Sequence, residues 1–185
     1  MTAQTAVDRM FAEAAEVMKT VNAAGDISLI SAAADHFRKA LLLGSASYFE
    51  QQICVCVLAF VHEQSGGCPL VGQFVKNKAV ERQYHTWFDW KQSNANQFFG
   101  LFGPGFKDAM KVRIGASDEL KESIAAFLEV GGERNKLVHQ DYATFQLEKT
   151  MNEIYDLYKK ALTFVEGLPS YLREAASAPA AEMIA

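Results

Sequence analysis

The sequence has little cysteine, little proline and no surplus of positive charge, and each shortage excludes something. Its three cysteines, Cys54, Cys56 and Cys68, are too few and odd in number, so the chain is no disulfide-stapled scaffold. Cys54 and Cys56 lie two apart in a helical-looking run, where side chains diverge. A zinc site needs about four ligands, and His62 is the one further candidate nearby; buried thiols are the expectation, with no metal and no cofactor. Four prolines and twelve glycines in 185 residues exclude collagenous and low-complexity chains. A net charge of -4 argues against coating DNA or an anionic membrane over the whole surface. Asp8, Arg9, Glu13 and Glu16 interrupt the N-terminal apolar positions, and no span of about 20 apolar residues is read, so a cytoplasmic protein with no membrane partner is expected.

What is present is ordinary globular composition, 50% hydrophobic and 22% charged. At this length, folding buries about 70% of the unfolded chain's surface, enough for one real core. Val7, Met10, Phe11, Ala14, Val17, Met18 and Val21 recur at helical spacing, predicting a helix over Thr5–Ala23 that Gly25 stops. Asp26 or Ser28 can cap a second helix, Leu29–Leu43. Gly44 and Ser45 then punctuate the chain, and Ser47 with Glu50 has the spacing of a capping box opening a central helix that ends near Gln64. Ser117, Asp118 and Glu119 start another helix, which Gly131-Gly132 need not end. A last helix is expected from about Thr144, with the stripe Leu147, Met151, Ile154, Tyr158, Ala161, Val165 and Leu168, closed by Gly167 and Pro169. One helical domain over residues 1–170 and a loose tail over 171–185 follow. No sustained period-two pattern, phosphate-binding loop or nucleophile elbow occurs.

Between Pro69 and Gly115 glycine, proline and aromatics crowd together, predicting short helices with irregular connections, an insertion between the main helices. This segment carries seven basic residues against three acidic, net +4, while the remaining residues carry 11 against 19, net -8. Tyr84, His85, Trp87, Phe88 and Trp90 stand among these cations, a mixture that can grip phosphates and stack on unpaired bases. Burial of the aromatics with solvated lysines is the preferred alternative, because aromatic side chains are more often buried than displayed.

Arg134, Asn135 and His139 form a compact polar group near a helix end, with Asn135 and His139 one turn apart. Arginine grips a phosphate through two donors and stabilises the charge of a pentacoordinate transition state, while an ordinary histidine moves protons near neutral pH. RNA supplies its own nucleophile, the 2′-OH, so an acid, a base and a cation suffice without metal. A single histidine cannot be both acid and base at one moment. A two-fold dimer that joins two helix ends would pool two arginines and two histidines around one phosphate. Composition alone favours a structural alternative, an ion pair for Arg134 and a satisfied helix end for His139.

The string Arg134-Asn135-Lys136-Leu137-Val138-His139 resembles the R-N-x3-H form of the R-x4-6-H motif of HEPN domains and precedes the final long helix, as in those domains. Ala46-Ser47-Tyr48-Phe49-Glu50 and Phe98-Phe99-Gly100-Leu101-Phe102-Gly103 are similar to the RiboL-PSP branch, and the resemblance covers roughly residues 28 to 168. It implies an all-α HEPN-like bundle of four to five main helices that dimerises. Active members are metal-independent endoribonucleases, often in toxin–antitoxin or other antiviral defence systems. By match to the motif Arg134 and His139 take the catalytic positions, Asn135 supports them, and Glu50 takes an acidic position that can orient the arginine. A structural salt bridge would explain Glu50 equally well. RNA would be the substrate, with an antitoxin or other inhibitor protein as a partner; Lys136 and, from the basic segment, Lys107, Lys111 and Arg113 are read by their charge as its basic contacts. Some HEPN toxins carry a tyrosine two residues after the histidine, which an antitoxin modifies; here Asp141 holds that position and Tyr142 follows. Other HEPN domains only bind nucleotides or RNA, or dimerise, which is the alternative function.

Overall fold

In the computed structural model, which describes residues 4–177, the chain is all-α. Helix α1, Ala6–Ala24, begins with a capping box between Thr5 and Asp8 and ends at Gly25, whose φ of 75° is the left-handed cap that glycine adopts without strain. Asp26 then caps α2, Ile27–Gln64, accepting a hydrogen bond from the Leu29 N–H. Helix α2 runs unbroken through Gly44-Ser45, where two helices were expected. The reason is tertiary. A Cβ on residue 44 would lie 3.0 Å from Met10 Sδ of α1, and the buried Ser45 hydroxyl is satisfied by donating to the Leu41 carbonyl at 2.8 Å. By length and composition α2 is also apolar enough to cross a membrane, contrary to the sequence reading; in this fold it packs against α1, α6 and α7.

The segment after α2 is irregular, as expected: α3, Pro69–Val75, a π-turn at Lys76–Val80, a 3-10 turn at Tyr84–Thr86, then α4, Asn96–Gly100, and α5, Pro104–Gly115. Helix α6, Asp118–His139, is capped by the Ser117 side chain and passes through Gly131-Gly132 without a break. Helix α7, Met151–Ser177, starts later than Thr144. Its start is a capping box in which Thr150 and Glu153 bond reciprocally to each other's backbone N–H groups, at 2.8 and 3.2 Å. Leu147 is nevertheless buried, from the loop before it.

Pro169 does not close α7. Leu168 and Leu172 are buried on either side of it, and that burial holds the helix across the one backbone bond the ring removes. Residues 171–177 of the expected tail are therefore helical; the rest of the tail lies outside the described residues.

Helices α2, α6 and α7 enclose the core, with α1 laid along α2. Phe49 of α2 stacks on Tyr158 of α7 at 5.3 Å and meets Phe127 of α6 at 5.6 Å, and Phe127 meets Phe164 at 5.2 Å. The aromatics of the basic segment join this core. Tyr84, Trp87 and Phe88 are buried, Phe88 stacking on Phe98 at 4.7 Å, so three of the rings in that run serve packing before recognition.

Polar contacts tie the chain's start to α7. Tyr155 donates to Asp8 Oδ1 at 2.8 Å, Lys159 reaches the same oxygen at 3.3 Å, and Tyr158 donates to the Thr5 hydroxyl at 2.7 Å. Burial pushes the Asp8 carboxyl up, but bonds from Thr5, Tyr155 and Lys159 outweigh it and hold the group below its ordinary value. Its stabilisation is complete above the ordinary aspartate value near 3.9 and is lost as pH falls from there toward the depressed folded value. Asp8→Asn is expected to cost about 1–2 kcal/mol at pH 7. That difference should close below about pH 4, as followed by urea unfolding across pH.

Candidate active site

Helix α6 brings the three motif residues to its C-terminal end. Leu137 is fully buried and anchors that turn, whereas Val138 beside it is exposed. His139 is the last helical residue and is exposed. Arg134 donates through Nη1 to Asn135 Oδ1 at 3.1 Å, so the amide fixes the guanidinium. All three line one cleft of about 520 Å³, within the ~300–1,000 Å³ typical of ligand clefts.

The floor of this cleft is aromatic: Phe49 from α2, Phe127 from α6, and Tyr84 and Trp90 from the irregular segment. Its polar rim holds Glu50, Arg82, His85, Arg134, Asn135 and His139. Trp90 is positioned by its indole N–H, which donates to the His85 carbonyl at 2.9 Å, and by two glycines. A Cβ on residue 131 would stand 2.0 Å from Trp90 Cζ3, and one on residue 132 would stand 3.1 Å from the Trp90 carbonyl oxygen. The mid-helix glycine pair is thus a seat for tryptophan. Burial, with Glu50 and Cys54 close by, holds the Tyr84 phenol well above its ordinary value despite the opposing Arg134, so it stays a neutral hydroxyl.

The expected site residues separate into two groups. Glu50 lines the same cleft as Arg134 and, among the described residues, makes no ion pair with it. Lys136 points to another side of α6 and pairs with Glu133 at 2.7 Å. Lys107, Lys111 and Arg113 stand on α5 and do not line the cleft. Lys111 pairs with Asp108 at 2.7 Å, while Arg113 pairs with Glu174 and lies over the Tyr171 ring, fastening α5 to α7. Tyr142 is also outside; its carbonyl and ring cover the buried Lys39 ammonium, which pairs with Asp35 at 2.8 Å. Burying a lysine without such partners would be costly.

Arg82 and His85 were counted only as members of a basic, aromatic run, and the structure sets both on the cleft rim. Arg82 has φ 61°, the one positive value at a non-glycine residue among the described residues. No local signal announces it. The cysteines are free, and burial pushes the Cys54 and Cys56 thiols up to about 11, which keeps them protonated and poorly nucleophilic. Among the described residues no three His, Cys, Asp or Glu side chains cluster to hold a metal ion.

A family model described as RiboL-PSP-HEPN matches residues 11–174. No curated protein and no solved structure matches the chain. The family match extends from within α1 to within α7 and takes in the cleft-forming helices and both halves of the motif, Arg134 and His139. By that match the chain belongs to the RiboL-PSP-HEPN family.

Proposed function

We propose that this HEPN domain is a metal-independent endoribonuclease. One observation carries the reading: a fixed guanidinium, an amide and an exposed imidazole line one aromatic-floored cleft at a helix end. In the reaction, an imidazole of His139 takes the proton of a ribose 2′-OH and the oxygen attacks the adjacent phosphorus. The P–O5′ bond breaks, a protonated imidazole gives its proton to the leaving 5′-oxygen, and Arg134 balances the charge on the phosphoryl oxygens. The products are a 2′,3′-cyclic phosphate and a 5′-hydroxyl. The acid and the base are the His139 side chains of two subunits in a two-fold dimer, a placement that suits an exposed histidine at a helix terminus. A cytoplasmic role in defence, with an antitoxin or other inhibitor protein restraining the activity, fits such a nuclease.

The test uses the purified protein and RNA in EDTA. Cleavage should persist and leave cyclic-phosphate ends, and a single 2′-deoxy nucleotide placed at the mapped cut should abolish that cut by removing the nucleophile. A cut that survives the 2′-deoxy substitution overturns the mechanism. The second reading is a non-catalytic RNA- or nucleotide-binding module, favoured by the net charge of -4 and by a cleft lining that does not include the α5 cations. RNA binding without product would establish it.

A further inference from the structure

Two features of the cleft are not used by the reaction above: an exposed polar arm on its rim, Arg82 and His85, and an aromatic floor. A left-handed backbone at a non-glycine residue costs about 1–2 kcal/mol and persists only where surrounding structure imposes it. Here the turn between the π-turn and the 3-10 turn imposes it, and the outcome is a guanidinium on the same rim as Arg134. The arm is braced from below. Trp87 donates to the Ala79 carbonyl at 3.1 Å, Gln97 to the Thr86 carbonyl at 2.6 Å, and Trp90 to the His85 carbonyl at 2.9 Å.

A rim of cations above aromatic faces suits one kind of ligand, a nucleotide whose base has left its stack while its phosphate stays at the surface. Duplex RNA keeps its bases stacked and cannot enter such a cleft. We propose that the Arg82–Trp90 arm is the substrate-binding wall of this site, taking one unstacked nucleotide of single-stranded RNA with its base toward Trp90 and its phosphate on Arg82 and His85. This inference rests on the nuclease reading for its place in the reaction: the arm grips the strand beside the phosphate that Arg134 and His139 attack. From the other elements, Glu50 of α2 and Arg134 and His139 of α6 face the arm.

The test measures binding of a single-stranded 2′-O-methyl RNA, which has no free 2′-OH and cannot be cut, by the full-length protein. Arg82→Gly and His85→Ala should each weaken binding about tenfold. Loss of the arginine contact should also reduce the salt dependence, by about 0.7 in the slope of log K against log salt. Glycine relieves the left-handed backbone, so Arg82→Gly should at the same time raise Tm by about 2 °C. That combination, firmer folding with weaker binding, is one that simple damage to the fold would not give. A matched duplex should bind at least about tenfold more weakly than the single strand. Unchanged binding in both variants, or equal binding of duplex and single strand, overturns the wall. Tight variant-sensitive binding with no cleavage of ordinary RNA would leave the wall standing and remove the nuclease reading. Cleavage that depends on His139 but ignores Arg82 and His85 would do the reverse. Absence of any RNA binding by the unaltered protein sinks both.

Discussion

His139→Ala is expected to lower RNA cleavage by roughly 10²–10⁴-fold, the usual contribution of a positioned proton-transfer group. The residue is exposed at the end of α6 and makes no core contact, so stability should stay within about 0.5 kcal/mol of the unaltered protein. Circular dichroism and urea unfolding run beside the cleavage assay separate the two effects. Arg134→Ala should be at least as damaging to turnover, and Arg134→Lys should restore only part of it, because an ammonium keeps the charge but loses the planar two-pronged grip. Mixing His139→Ala protein with the unaltered protein adds a test of the shared site. A mixed dimer keeps one imidazole and lacks either the acid or the base, so activity should fall by more than the fraction of variant subunits added, whereas a strictly proportional fall would overturn the composite centre. Full activity in His139→Ala would remove the assignment altogether.

The largest expected loss of stability lies under the cleft, where Trp90 rests on Gly131. Trp90→Ala deletes a ring packed against Tyr84, Phe88 and Phe127 at centroid distances of 5.1 to 6.0 Å. The cost should be about 3 kcal/mol, a large share of the ~5–15 kcal/mol a domain possesses. Gly131→Ala alone gains about 1 kcal/mol of helix propensity, but its Cβ would fall 2.0 Å from the indole. The ring cannot yield in place, since its N–H is bonded to the His85 carbonyl. Displacing it should cost about 1–3 kcal/mol and disturb the cleft, so cleavage should fall as well. Once Trp90 is gone, the same Gly131→Ala change should stabilise the protein. This reversal of sign, a coupling of about 2–3 kcal/mol in a double-mutant cycle, is the quantity to measure by denaturant unfolding. Simple additivity would show that the ring and the glycine do not share the space.

The helix ends that were legible in the sequence were those with a complete local signal. Thr5, Asp26 and Ser117 each cap the helix that follows, and Gly25 supplies the left-handed stop. Errors arose where a local sign was outweighed or overlooked. Gly44-Ser45 reads as punctuation, yet Met10 presses on the glycine and the serine bonds back along its own helix. Pro169 reads as a terminator, yet buried leucines flank it. The start of α7 was readable after all, because Thr150 and Glu153 have capping-box spacing, but the buried Leu147 upstream suggested a helix begun too early.

The same division holds for the site. Arg134, Asn135 and His139 could be grouped from the sequence because three chemically distinct residues lie within six positions of one helix, and the structure sets all three on one cleft. The basic residues of α5 were grouped with them by charge alone, and charge along a chain does not say which face a helix turns to a cleft. Arg82 and His85 emerged only when the fold set their turn on the cleft that α6 also lines.

By itself, then, the sequence determined an all-α chain, most of its helix starts and a polar triad at the end of α6, because capping and helical periodicity act over a few residues. Tertiary structure alone decided that α2 is one helix, that Trp90 sits on Gly131-Gly132, and that a strained Arg82 joins the rim. Those outcomes depend on contacts between segments far apart in the chain, where close packing allows a ring or a glycine only one place.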